Sequence, residues 1–253
     1  MAGVTSLRMY GENSATFLLF QALSQCPKGI EELFLNNLKA FGTGRRTEKK
    51  SFENVEVWLF PNFGRGIGFG EPDALILADG LVFWVEVETT INCKTRSAAL
   101  KRSLRQMWRF HLFQLAVNKG IKIRDGSKVL MGSTLSDDNS LRDAKVKIRD
   151  HGVLRKDLPN RLKKAGENLH DHYVLLTVDK PVGGGEGYEK ELCNELSNLE
   201  KEVSSNLSHP LDSETRLPVD RCWYLYWKGD IERKYNQQGC HAFKLEDIYV
   251  RIK

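Results

Sequence analysis

The sequence predicts a mixed α/β fold, a central sheet flanked by helices in the order helix, three strands, helix, strand. Three stretches carry that prediction. Residues 74–78 and 81–87 are short apolar runs divided by Asp79-Gly80, the dipeptide of a tight hairpin turn. From about Arg96 to Asn118 the residues favour helix, with Leu100, Leu104, Met107 and Leu115 forming its apolar stripe. Tyr173 to Val178 is a plain buried strand, and Cys222 to Lys228, with Trp223, Tyr224, Tyr226 and Trp227, is a last one.

The elements follow in order. Asn13 or Ser14 is placed to cap a first helix carrying Phe17, Leu18, Phe20 and Leu23, with Phe17, Leu18 and Leu23 as its docking stripe. Pro27-Lys28-Gly29 interrupts it, and Ile30 to Leu38 reads as helix again. Gly42 to Ser51 is a polar, basic loop, and Val55 to Phe60 is a strand. Glycines 64, 66, 68 and 70 lead into the hairpin. Residues 119–170 are charged and weakly periodic, as in an inserted or mobile segment. Gly183-Gly184-Gly185 precedes an acidic helix, Glu189 to Val203, and 183–253 is a C-terminal elaboration of a single domain spanning 1–253. No repeat is visible.

Composition narrows the functional classes. With 41% apolar residues the chain can fill a core, and a formal charge of +5 permits a nucleic-acid partner without requiring one. The 5 cysteines (Cys26, Cys93, Cys193, Cys222, Cys240) contain no Cys-x-x-Cys pair, an odd and unpatterned set that suggests reduced thiols and a cytoplasmic setting. No run is long and apolar enough for a membrane span, so no membrane partner is expected. The Gly64–Gly70 stretch precedes a strand rather than a helix, and Gly183–Gly187 lacks the Gly-Lys-Ser/Thr of a phosphate loop. His170-Asp171-His172 has no partner motif for a metal and reads as surface residues.

The chemistry sits in the hairpin. Asp73 opens its first strand, and Glu86 and Glu88 lie near the end of its second. Antiparallel pairing brings those ends together, and residues two apart share a face, so the three carboxylates converge. Converging carboxylates repel and resist desolvation unless a cation lies among them, and hard divalent ions such as Mg²⁺ or Mn²⁺ take oxygen ligands of this kind. The plainer reading of the same acids is solvent-facing charge at a sheet edge.

This arrangement resembles the PD-(D/E)xK nuclease superfamily, which includes restriction endonucleases and RecB-type nucleases. Pro72-Asp73 looks like the family's Pro-Asp, and Glu86-Val87-Glu88, after twelve intervening residues, like its (D/E)-x-K element. Glu12, in Glu12-Asn13-Ser14-Ala15-Thr16, matches the family's first-helix Glu in a setting associated with bacterial members linked to phage defence. Gln106 with Phe110 is similar to the Gln-x-x-x-Tyr of RecB-type members, with Phe for Tyr. Together these cover roughly residues 10–118 and the strand at 173–178.

The resemblance implies a restriction-endonuclease-like core (order αβββαβ) and metal-dependent phosphodiester hydrolysis, with DNA the expected substrate. Asp73, Glu86 and the Val87 carbonyl would bind Mg²⁺ or Mn²⁺, with Glu12 and Glu88 shaping that site or a second. Glu88 replaces the family's lysine, as in some enzymes of this fold; otherwise Lys94 or Lys101 would have to bring the charge. An inactive nuclease fold that binds nucleic acid or protein is the alternative, and either permits a homodimer. Arg102, Arg105 and Arg109 share a helix face and, with Lys94, Lys101 and Gln106, are candidate nucleic-acid contacts. A merely solvated face is the plainer reading there, as the helix dipole alone is for Glu12.

Overall fold

The computed structural model describes residues 12–48, 50–61, 71–88, 96–118, 171–177, 187–205, 213–231 and 234, without the side chains of 12–14, 96, 116–118 and 228. Its frame is a mixed sheet of 6 strands, β1 (Lys39–Ala40), β2 (Val55–Leu59), β3 (Ala74–Ala78), β4 (Leu81–Glu88), β5 (Asp171–Thr177) and β6 (Cys222–Tyr226). Their spatial order is β1-β6-β5-β4-β3-β2. Strands β2, β3 and β4 are antiparallel neighbours, β4, β5 and β6 run parallel, and β1 pairs antiparallel to β6. Helices α1 (Glu12–Gln25), α2 (Arg96–Asn118) and α3 (Tyr188–Ser205) flank it.

The hairpin forms as expected. Asp79 (φ 42) and Gly80 (φ 87) both take positive φ, as a two-residue turn matching the strand twist requires. Asp79 also ties the turn to the neighbouring chain, its carboxylate accepting the N–H groups of Glu53 at 2.8 Å and Asn54 at 2.9 Å. Strand alternation then divides the core. Leu75, Val82, Trp84, Tyr173, Leu175 and Tyr224 face α2 and α3, meeting Leu104, Met107, Leu192 and Leu199. Ala74, Ile76, Val85, Val87, Val174 and Leu176 face the other way, toward Leu19 and Leu23 of α1 and Leu33 and Phe34 beyond it. The α2 stripe is as expected: Leu100, Leu104, Met107 and Leu115 are all buried.

Several expectations need correction. Helix α1 starts at Glu12, so Asn13 and Ser14 lie inside it. Of its expected docking stripe, Leu23 is buried and Leu18 packs partly buried on the core, but Phe17 is exposed, and Ala15, Leu19, Phe20 and Ala22 complete the buried face. Residues 30–38 do not form a regular helix; a wide turn, Gly29–Phe34, and a tight one, Leu35–Asn37, take their place. Gly29 is needed there, because a Cβ would sit 2.1 Å from the Leu23 carbonyl oxygen. The last strand stops at Tyr226, and Trp227–Ile231 is a wide turn. Asp171 and His172 are half-buried strand residues rather than surface ones. Cys26, buried, is disulfide-bonded to a partner outside the described residues, contrary to the expectation of reduced thiols, whereas Cys193 and Cys222 are free. An odd count rules out complete pairing, not one bridge, so the cytoplasmic inference loses this support. Among the described residues no helix is long and apolar enough to cross a membrane. Residues 119–170 and the triple glycine lie outside the described residues.

Buried polar groups lock α2 to the layer behind it. His111 bridges the Tyr173 hydroxyl (2.9 Å from Nδ1) and the Glu214 carbonyl (2.8 Å from Nε2). Since the carbonyl can only accept, Nε2 carries the proton and, in the neutral ring, Nδ1 accepts from the hydroxyl. The Tyr173 side chain is wholly buried, so His111→Leu should destabilise the fold by about 1–3 kcal/mol, the penalty for stranding such a group. Denaturant unfolding checks this; unchanged stability would mean that the bridge contributes nothing net.

Candidate active site

The candidate site lies where β4 outruns β3. The regular ladder ends at Ala74↔Val85. One step further the Asp73 N–H reaches the Val85 carbonyl at 3.0 Å, and the Asp73 carboxylate accepts the Val87 N–H at 2.7 Å. Asp73 thus closes the ladder with its side chain and stands at the junction of the two strands. Extending the register by one residue sets it across from Glu86. Alternation puts Asp73, Glu86 and Glu88 on the face shared with Leu75 and Trp84, the one covered by α2.

Their surroundings differ. Asp73 and Glu86 are half-buried, but Glu88 is only 1% exposed. A carboxylate so deep needs compensation, and α2 provides it: Arg102 Nη2 lies 2.7 Å from Glu88 Oε2, and Ser103 Oγ donates to the same oxygen at 3.3 Å. Two turns further along α2, Arg109 is drawn to Glu86. Burial and the neighbouring Arg105 nonetheless lower the Arg109 pKa, and Glu86 opposes them.

The remaining sequence candidates fall into place as follows. Gln106 is half-buried, its Oε1 accepting from Arg109 at 3.3 Å, and Phe110 is a core residue stacked on Trp84. Lys101 and Arg105 both engage Glu202 of α3, Arg105 at 2.9 Å, and these contacts hold the Glu202 pKa below its ordinary value. The cationic face is therefore paired to Glu88 and Glu202, where the sequence suggested a simple solvated or DNA-facing row. Glu12 is the first residue of α1, which docks on the opposite sheet face; its side chain lies outside the described residues, as does Lys94. Among the described residues no three His, Cys, Asp or Glu side chains are arranged as a metal centre. With Asp73 turned to a backbone N–H and Glu88 to Arg102, the three acids are gathered on one face without forming a ready cage. Sequence reasoning missed Ser103 and Glu202, whose partners lie on β4 and on α2, beyond any periodic signal.

Compared with known proteins, the chain matches no family model, no curated protein and no solved structure.

Proposed function

We propose that this protein is a metal-dependent phosphodiester hydrolase acting on nucleic acid, DNA before RNA, with Asp73, Glu86 and Glu88 at its centre. The observation that carries this reading is the shared face of these acids at the point where β3 and β4 part, beneath a helix rich in arginine. The strand and helix order α1, β2, β3, β4, α2, β5 also agrees with the restriction-endonuclease-like core that the motifs imply. A divalent cation suits oxygen donors of this kind; Asp73, Glu86 and the Val87 carbonyl would hold it, joined by Glu88 once Arg102 lets go. When bound, such an ion lowers the pKa of a water and offsets charge on the phosphate. The chain's own contribution is to orient the acids, through the Val87 N–H, Ser103 and Arg102, and to bring Arg109 beside them for an anionic backbone. Glu88 stands where the family has lysine, and Arg102 offers a positive charge at that place from α2.

Incubation with plasmid, linear and single-stranded DNA and with RNA, in Mg²⁺, Mn²⁺ or EDTA, tests the proposal. Cleavage that needs the metal supports it; no cleavage of any substrate under any condition overturns it. A second reading, an inactive nuclease fold that binds nucleic acid, is favoured by one observation: Glu88 is already neutralised by Arg102. Binding separates from cleavage through the helix face. Replacing Arg102, Arg105 and Arg109 with Gln should weaken duplex binding and reduce the logarithmic salt slope by about 0.9 for each phosphate no longer neutralised. An unchanged slope would assign these arginines wholly to Glu88, Glu86 and Glu202. The replacement is not neutral for folding, as position outside the core stripe would suggest, because Arg102 and Arg105 pair with carboxylates.

A further inference from the structure

We propose that Arg102 is a latch on the carboxylate site, opened when a nucleic-acid phosphate draws its guanidinium away from Glu88. Metal and nucleic acid then bind cooperatively. This inference rests on the functional reading above and adds the regulation of that site.

The pair is unequal. The Glu88 side chain is 1% exposed and that of Arg102 is 64% exposed, so the cation reaches from the surface onto a buried acid. A carboxylate at that depth calls for a cationic partner, and a guanidinium and a divalent metal are alternatives for it. Glu88 Oε2 already accepts from Arg102 Nη2 at 2.7 Å and from Ser103 Oγ at 3.3 Å. A metal ligated there would meet the guanidinium at short range, and two cations so close repel. Metal entry therefore sends Arg102 outward, where its exposed side chain can swing. Ser103 stays: it is wholly buried and holds the Glu88 carboxylate in place after the exchange. Glu88 and Arg102 each take part in a further interaction besides this pair. The latch requires only that their own bond be exchanged, and removing Arg102 measures its share.

The neighbouring cations differ. Lys101 and Arg105 hold Glu202 of α3, so their release uncovers no acid of the candidate centre. A phosphate offers Arg102 the kind of partner it gives up, since a guanidinium binds phosphate in the same forked geometry as carboxylate. The two exchanges assist each other. Metal alone must push Arg102 into water, and nucleic acid alone must leave Glu88 buried without this cation. Together, each ligand supplies what the other displaces. That is positive coupling, and linkage makes it reciprocal. Glu88 neutralised by Arg102 is then the resting state of a working site and not the mark of a lapsed one.

The test measures binding, not cleavage. Mn²⁺ affinity is followed by electron paramagnetic resonance of the free ion, and DNA affinity by fluorescence anisotropy, each with and without the other ligand. The DNA is a short duplex with phosphorothioate linkages, which keep the backbone charge and resist hydrolysis. In the parent protein the duplex should tighten Mn²⁺ binding about tenfold, within the roughly 5–150-fold typical of coupled sites, and Mn²⁺ should tighten duplex binding by the same factor. Without duplex, Arg102→Ala should bind Mn²⁺ about tenfold more tightly than the parent, and its coupling should fall by a similar factor. Arg105→Ala, which releases Glu202 instead, should lower duplex affinity yet keep the coupling. In EDTA, Glu88→Gln should bind duplex more tightly than the parent because Arg102 is released, and Glu88→Gln/Arg102→Ala should lose that gain. Should Arg102→Ala not fold, Arg102→Gln removes the charge, keeps a donor for Glu88 and carries the same expectation. Equal Mn²⁺ affinity in the parent and Arg102→Ala, or undiminished coupling in that variant, overturns the latch and leaves the functional reading standing. Mn²⁺ bound by no form of the protein, with or without duplex, overturns both.

Discussion

Asp73→Ala and Glu86→Ala are each expected to lower metal-dependent cleavage by about 10²–10³-fold, the loss that follows removal of one preorganised group from a charged transition state. The expectation rests on where the two side chains stand. Asp73 closes the β3–β4 ladder at Val87, and the register carries Glu86 across from it, so either loss opens the same corner. Asp73 also has a structural duty, and alanine removes it: an ionised acceptor lost from a half-buried N–H costs about 1–3 kcal/mol. Asp73→Asn separates the two roles. Its amide oxygen still accepts the Val87 N–H, so melting should stay close to the parent's, while the lost charge should still depress cleavage. Parent-like cleavage in both alanine variants would end the nuclease reading. Loss of activity in Asp73→Ala with full activity in Asp73→Asn would make Asp73 a strand cap and nothing more.

The sequence carried the local parts of this structure and little of what joins them. The hairpin was legible because Asp79-Gly80 meets a strict backbone demand, positive φ at two successive residues. Helix α2 was legible from its stripe, and the face of the three acids from the two-residue period of a strand. Strand β1 was not: it is two residues long, and its pairing to β6 depends on contacts far along the chain, among them Lys39 with Asp230 at 2.7 Å. Phe17 reads as core by type, yet the buried arc of α1 passes through Leu19 and Leu23 instead. The cationic row of α2 was visible, but not its partners. Glu88 lies on a strand and Glu202 on a different helix, and no spacing rule reaches either. Fixing Arg102 onto Glu88 changes what the acid motif means, because one of its three members has a cation already.

That pair sets the outcome of the most informative substitution. Glu88→Lys places lysine where the resemblance expects it, and from the motif alone it should be tolerated or even favourable. The structure predicts otherwise: position 88 is 1% exposed and Arg102 Nη2 lies 2.7 Å from its carboxylate, so a second cation would be driven against the first. Breaking a fully buried pair costs roughly 3–5 kcal/mol. The Arg102 side chain is 64% exposed and can swing away, which lowers the expected loss for Glu88→Lys to about 2–3 kcal/mol. Arg102→Ala alone should cost a similar or smaller amount, since Ser103 Oγ still serves the Glu88 carboxylate. Combining them relieves the repulsion, so Glu88→Lys/Arg102→Ala should be more stable than Glu88→Lys, with a coupling of about 1–3 kcal/mol in denaturant unfolding. Strict additivity would show that the two side chains do not sense one another. Cleavage in the same set then locates the positive charge. If the double variant cleaves and Arg102→Ala does not, a cation at this corner is required and either side chain can supply it. If Arg102→Ala cleaves faster than the parent, the arginine competes with the metal for Glu88.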